Sequence, residues 1–293
     1  MKIAVFGSKH HEIVVSLIDN LLKHFQNKKD FSFAFEKYFF EYLKKQNVDL
    51  QQTVMIGEND FTSDLVLSFG GDGTFLKTAA LVGSKQIPIL GINVGRLGFL
   101  TDLSGREISE LYKIIENQNF EVDERTLIEV KNSENIALKS PFALNEIAVM
   151  KQDTSAMIDI EARVNGELIN IYRSDGLIIA TPTGSTAYSM SVGGPIVVPK
   201  VASFIISPIA SHSLNVRPLI IPDSWEIELT INSRSNSYLV ALDGRSQIFT
   251  NETKLFVHRA PHKVLIAKQK DRIFFDTLKE KLMWGADTRE IRN

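Results

Sequence analysis

Asp72 stands inside Gly70-Gly71-Asp72-Gly73-Thr74, after the apolar run Leu65 to Phe69 and before Phe75-Leu76-Lys77-Thr78-Ala79-Ala80-Leu81-Val82. The first run reads as a buried strand and the second as a helix. A strand, a glycine turn and a helix start make a ready anion site: glycines let a ligand approach the backbone, and the first helical turn has free N–H groups. Asp72 does not belong among donors aimed at phosphate unless a metal ion or a reacting proton lies between. The spacing is neither G-x-G-x-x-G nor G-x-x-x-x-G-K-[ST]. The loop therefore points to phosphate chemistry with a carboxylate at the reacting centre. The bland alternative is a tight turn with a capping Asp.

Four further stretches could hold a ligand. Gly91-Ile92-Asn93-Val94-Gly95-Arg96-Leu97-Gly98-Phe99-Leu100 is a second glycine loop, or an ordinary crossover. Thr181 to Ser191 packs six Ser or Thr residues and one Tyr into eleven positions, closed by Gly193-Gly194-Pro195. Hydroxyls both donate and accept, which suits ribose, phosphate and amide groups. Asn145-Glu146 interrupts the apolar strand expected over Ala143 to Met150. Side chains alternate along a strand, so one of the two points inward or the strand borders a cleft; a bulge or an edge is the other reading. Arg173-Ser174-Asp175-Gly176 reads most simply as a hairpin turn with a local ion pair. His212 is a lone histidine, the six His residues show no metal-ligand spacing, and no G-x-S-x-G elbow supports a hydrolase.

The elements that must position these residues fall into two kinds. Lys2 to Phe6, Phe31 to Phe35, Leu65 to Phe69 and Ile87 to Ile92 read as strands. Helices are expected over Ile13 to Phe25, Tyr38 to Leu43 and Ile108 to Asn119. Alternating helix and strand imply a mostly parallel sheet, whose ligands bind beyond the carboxyl ends of the strands. After about residue 120 the segments become short and β-branched. Strands are expected over Leu127 to Lys131, Met157 to Val164, Leu168 to Arg173, Gly176 to Ala180, Ser203 to Ile206, Val216 to Ile221, Trp225 to Ile231, Tyr238 to Leu242 and Lys254 to His258. Asn165-Gly166 and Asp243-Gly244 are the turn signals. The expected fold class is α/β plus all-β: an amino-terminal α/β Rossmann-like domain over 1–120, a β-sandwich-like domain over 121–270, and a carboxyl-terminal helix within 271–293 packing back on the first domain.

The 293 residues carry 33 basic and 35 acidic side chains, a net charge of −2, so nothing electrostatic favours nucleic acid or an anionic membrane. Without cysteine there are no disulfides or thiolate metal sites. No run reaches transmembrane length, and the expected setting is the cytoplasm.

In order and separation, Gly-Gly-Asp-Gly-Thr at 70–74, Leu97-Gly98-Phe99, Asn145-Glu146, Thr-Pro-Thr-Gly-Ser-Thr-Ala-Tyr-Ser at 181–189 and Gly193-Gly194-Pro195 resemble the NAD kinase family. The resemblance spans about residues 60 to 260; the glycine loop alone is shared with lipid kinases. It implies transfer of the ATP γ-phosphoryl group to the 2′-hydroxyl of the adenosine ribose of NAD, giving NADP. It further implies two domains with an intervening cleft, and a homodimer or homotetramer. Asp72 matches the catalytic Asp and a contact to NAD. Gly73, Lys77 and Phe99 match the NAD pocket on the first-domain side, and Asn145 and Glu146 match the pair that reads the adenosine portion. Arg173, Asp175, Thr183, Thr186, Ala187, Tyr188, Ser189, Met190, Ser191 and Ala210 match further NAD contacts, as does Arg245 after Asp243-Gly244. Leu100 stands where some relatives carry Tyr, so a contact through that hydroxyl is absent.

On this reading Gly70, Gly71, Gly73 and Thr74 steady the ATP phosphates and a divalent ion, Mg²⁺, offsets their charge. Asp72 orients the ribose hydroxyl and takes its proton late, because phosphoryl transfer asks for orientation more than for early deprotonation. A lipid kinase sharing the glycine loop and a non-catalytic dinucleotide sensor are the two readings from other classes.

Overall fold

The computed structural model describes residues 1–9, 13–57, 60–95, 97–101, 103–153, 156–270 and 273–285; Arg96 of the second glycine loop lies outside them. The chain divides into two compact units: Met1–Glu124 with Val264–Asn293, and Arg125–Lys263.

The first unit begins β1 (Lys2–Gly7), α1 (Ile13–Phe25), β2 (Ser32–Glu36), α2 (Lys37–Lys45), β3 (Thr53–Ile56), β4 (Leu65–Gly70) and α3 (Asp72–Val82). It continues through β5 (Ile89–Asn93), β6 (Leu103–Ser104) and α4 (Ile108–Asn117). Its strands lie parallel in the order β3-β2-β1-β4-β5. The apolar spacing read from α1 lays Val14, Leu17, Ile18, Leu21 and Phe25 into the core with Phe35, Phe39 and Phe69. Glu36 starts α2 by accepting hydrogen bonds from the Tyr38 and Phe39 amides. The strand order reverses between β1 and β4, and open α/β sheets bind ligands at that switch point. The Gly70–Thr74 loop leaves β4 there, beside Ser8, whose amide donates to the Phe69 carbonyl at 2.8 Å.

β7 (Phe120–Asn132) runs from the first unit into the second. The second unit then contains β8 (Phe142–Ala143), β9 (Glu146–Lys151), β10 (Ile158–Val164), β11 (Glu167–Ser174), β12 (Gly176–Ala180), the short α5 (Tyr188–Ser191) and β13 (Ser203–Ile209). β14 (Leu219–Pro222), β15 (Ile227–Asn232), β16 (Ser237–Leu242) and β17 (Arg245–Thr250) complete its series. β18 (Leu255–Gln269) leads back into the first unit, which ends with α6 (Phe274–Leu282). One antiparallel sheet has the order β14-β13-β12-β9-β16-β17. The other contains β11-β10-β15 and the first half of β18. Alternate residues of both sheets meet in one core, among them Val149, Ile160, Leu177, Phe204, Leu229 and Val240. The sandwich-like reading of this half agrees with that packing.

Three local expectations are corrected. Residues 173–176 are not a hairpin turn, because β11 and β12 lie in different sheets. Arg173 pairs with Asp159 at 2.9 Å and Asp175 with Lys151 at 2.6 Å, not with each other. The strand expected over Ala143 to Met150 is broken at Leu144 and Asn145. β18 runs through Pro261 to Gln269, well past His258. No described helix is long and apolar enough to cross a membrane.

Candidate active site

In the first unit the geometry is built around Asp72. β4 is buried along its whole length, and Gly71 begins α3 without any side-chain cap. Gly71 and Gly73 have open space where a Cβ would stand. An uncapped helix start facing open space is what an anion needs. Lys77 lies one turn further along α3, exposed on its surface.

The Asp72 carboxylate does not point at that space alone. It accepts from the Phe99 amide (2.8 Å), the Leu100 amide (3.1 Å) and the Thr101 hydroxyl (3.3 Å). The second glycine loop thus packs its backbone donors onto the carboxylate. This resolves the conflict seen in the sequence: the carboxylate is fixed by donors of its own, separate from those at the helix start. Thr101 also accepts from Asn93 Nδ2 at 3.3 Å, which ties the loop to the end of β5. Lys281 of α6 reaches the same place, with Nζ 3.8 Å from Asp72 Oδ2 and 4.7 Å from the Phe99 ring centroid. Nothing in the sequence marks Lys281 as a neighbour of Asp72. Replacing it with Met should lower kcat about tenfold, by removing a cation that contacts both the carboxylate and the ring. Steady-state kinetics would check this, and an unchanged kcat would mean that the ammonium is incidental.

In the second unit the predicted residues separate into two groups along β12. Ala180, at its carboxyl end, pairs with Glu146, while Gly176, at the other end, pairs with Met150 and Ile209. Asn145, Glu146, Thr183 and the run Thr186, Ala187, Tyr188, Ser189, Met190 and Ser191 gather at the first end. Arg173, Asp175 and Ala210 sit at the second, about 13 Å away by strand rise. Ala210 holds a left-handed φ of 46°, uncommon for a non-glycine residue, and the His212 amide donates to the Arg173 carbonyl.

Several hydroxyls of the Ser/Thr-rich segment are engaged within the protein. Thr181 Oγ1 donates to the Leu144 carbonyl at 2.6 Å, and Ser185 Oγ donates to the Pro182 carbonyl at 2.7 Å. Ser189 is fully buried against Ser207. Thr183 Oγ1 accepts from Arg125, a buried guanidinium that no motif announced. Thr186, Ala187, Tyr188 and Met190 are half-buried and Ser191 is exposed. A Cβ on Gly184 would stand 2.1 Å from the Asn145 carbonyl oxygen, so this segment rests directly on the Asn145 backbone.

Glu146 Oε2 is buried with no hydrogen-bond partner. Burial, reinforced by the nearby charge of Asp243, pushes its pKa up to about 7, against the Tyr188 backbone N–H, which favours the charged form. The folded chain therefore holds this proton more tightly than the unfolded chain. Stability falls as pH rises from the ordinary Glu range through about 7. Glu146→Gln removes that loss. The variant should gain on the wild type at pH 8, by up to about 3 kcal/mol, and gain little at pH 4. Urea midpoints at the two pH values would show it; an equal difference at both would refute it. Arg245 lies beside this group, donating through Nη2 to the Phe142 carbonyl at 2.6 Å while its Nε is buried and unpartnered.

Residues 18–120 match the family model of the ATP-NAD kinase N-terminal domain, and residues 144–268 match that of the C-terminal domain. The chain belongs to the NAD kinase family. An NAD kinase from Bacteroides fragilis is 46% identical over 290 residues, covering 99% of this chain and 100% of that protein. One from Porphyromonas gingivalis is 41% identical, covering 98% and 99%. The crystal structure of an NAD kinase from Archaeoglobus fulgidus in complex with ATP superposes with a TM-score of 0.73 at 28% identity, covering 97% of this chain and 99% of that one. Yeast NADH kinase complexed with NADH shares the fold with a TM-score of 0.85 at 22% identity, covering 98% and 89%. The family's two domains thus match in sequence the two halves that carry the Asp72 cluster and the Asn145–Glu146 cluster.

Proposed function

We infer that the chain is a kinase that transfers the γ-phosphoryl group of ATP to the 2′-hydroxyl of the adenosine ribose of NAD, giving NADP. The observation that carries this is the match to both NAD kinase domains, in order, together with near-full-length identity to curated NAD kinases. The uncapped start of α3 and the fixed carboxylate of Asp72 supply the chemistry the reaction asks for.

On this reading Asp72 accepts a hydrogen bond from the ribose hydroxyl and takes its proton late. The transition state of phosphoryl transfer is largely dissociative, so the nucleophile needs aim more than basicity. The amides of Gly71 and Gly73, with Gly70 shaping the turn, face the transferring phosphate oxygens; the Thr74 amide, expected to join them, instead donates to the Gly71 carbonyl at 2.9 Å. Lys77 and Phe99 line the NAD pocket of the first unit. Asn145 and Glu146 read the adenosine portion, flanked by Thr183 and residues 186–191. Arg173, Asp175, Ala210 and Arg245 are assigned to NAD by the family pattern.

Among the described residues no group of three or more His, Asp or Glu could hold a metal ion by itself. Mg²⁺ commonly binds through one or two carboxylates, substrate phosphates and water. The donor set therefore fits an ion that arrives with the triphosphate beside Asp72, where it would offset phosphate charge. A cytoplasmic homodimer or homotetramer completes the reading, supported by the family resemblance.

The test is to incubate the purified protein with ATP, Mg²⁺ and NAD and to follow NADP with an NADP-specific dehydrogenase. NADP should form only when all three are present. Binding of NAD without NADP formation would overturn the reading.

A further inference from the structure

We propose that Asp243 is a positioning residue for the nucleotide, holding the Asn145–Glu146 turn in the geometry that reads it. The proposal rests on the assignment of Asn145 and Glu146 to NAD.

The turn between β8 and β9 has every backbone group from 144 to 146 engaged. Asp243 Oδ2 accepts from the Leu144 amide at 2.7 Å, and Oδ1 accepts from the Asn145 amide at 2.8 Å and the Glu146 amide at 3.2 Å. The Asp243 amide donates back to the Glu146 carbonyl at 3.1 Å. Thr181 takes the remaining carbonyls, with Oγ1 on Leu144 and its amide on Asn145. The backbone is fixed from two sides, and the Asn145 and Glu146 side chains are what it leaves to present.

The hairpin turn by itself does not require a carboxylate. Asp243 and Gly244 have φ of 46° and 79°, the two positive values of a tight β16–β17 turn. Asn-Gly forms such turns as readily as Asp-Gly. Three backbone donors converging on one side chain do require two acceptor oxygens. The side chain is 4% exposed, and a charge buried to that degree needs compensation. Three amides and Arg245, at 3.9 Å, favour the charged form, against the burial that still raises its pKa. An Asn here would keep the turn but bring its NH₂ against a backbone N–H.

Asp243→Asn in the full-length protein is therefore the discriminating variant. Its KM for NAD should rise about tenfold or more, with KM for ATP unchanged and the thermal midpoint lowered by only a few degrees. In combination with Asn145→Ala it should add little to the effect of Asn145→Ala alone, since both act on one turn. Equal changes in both KM values, or none, would overturn the proposal. If Asn145→Ala itself leaves KM for NAD unchanged, the assignment of the turn to NAD fails, and the role of Asp243 fails with it. If Asn145→Ala raises KM for NAD and Asp243→Asn does not, only the role of Asp243 fails. Should Asp243→Asn not fold, hydrogen exchange on the wild type decides. The amides of 144–146 should be protected without NAD, and protection that appears only on adding NAD would refute a preset turn.

Discussion

Asp72→Asn should lower kcat by about a thousandfold while NAD still binds. The substitution keeps volume and removes charge. It withdraws the acceptor proposed to aim the ribose hydroxyl and to take its proton, a contribution commonly worth factors of 10² to 10⁴. It also places an NH₂ group where the amides of Phe99 and Leu100 now donate at 2.8 and 3.1 Å, so the second loop loses a partner in the same step. Thr101→Val separates the two effects, because it keeps the carboxylate and both amide bonds to it, removing only the hydroxyl's 3.3 Å bonds to Asp72 and from Asn93, and should change kcat by less than about threefold. Isothermal titration with NAD beside single-turnover NADP formation would distinguish binding from chemistry. Near-normal turnover in Asp72→Asn would end the catalytic assignment.

Gly98→Ala should cost about a hundredfold although it replaces no polar group. A Cβ at this position would stand 1.8 Å from Asp72 Oδ1, 2.6 Å from its Cγ and 2.3 Å from Thr101 Oγ1. The obstacle is space rather than backbone conformation, so either the carboxylate swings away or the loop backs off. Displacing a reacting group by about 1 Å costs roughly a hundredfold in rate. The expected result is a drop of about that size in kcat/KM, with a modest fall in thermal midpoint. Added to Asp72→Asn, Gly98→Ala should do little more, because both act through one carboxylate. A fully active Gly98→Ala would show that the pairing between loop and carboxylate is not required for turnover.

The sequence disclosed the central elements and the edge strands β11 and β14, and concealed the edge strands β3 and β17. α1 and β4 were legible because a repeating apolar face or an unbroken apolar run leaves a local signature. β3 has two exposed middle residues, Val54 and Met55, and β17 reads Arg-Ser-Gln-Ile-Phe-Thr; neither edge strand shows a clean buried face. Pro261 reads as the end of a strand, yet β18 continues through it. In the site, Asp72, Asn145 and Glu146 stood out as polar residues in apolar or glycine-rich settings. Their supports did not, since Asp243 lies nearly a hundred residues from the turn it holds and Lys281 about two hundred from Asp72. Local pattern carries no information about such distant pairs. Asp243 had an obvious local meaning as a turn residue, and that meaning masked the other.

The first unit is made from both ends of the chain, and this bears on how it can fold during synthesis. When residue 124 leaves the ribosome, Ile89 and Leu90 of β5 are paired to β4 alone, since their other neighbours, Ile266 and Ala267, have not been made, while Ile92 and Asn93 already have β6. Lys281 is later still, so Asp72 lacks this neighbouring cation until α6 has been made. The second unit, Arg125–Lys263, is continuous and can close first. A half-made parallel sheet with an open apolar edge is prone to association with other chains. Nascent chains halted before Val264 should therefore depend on chaperones more than chains that have passed it, and the surroundings of Asp72 are completed only once α6 is made.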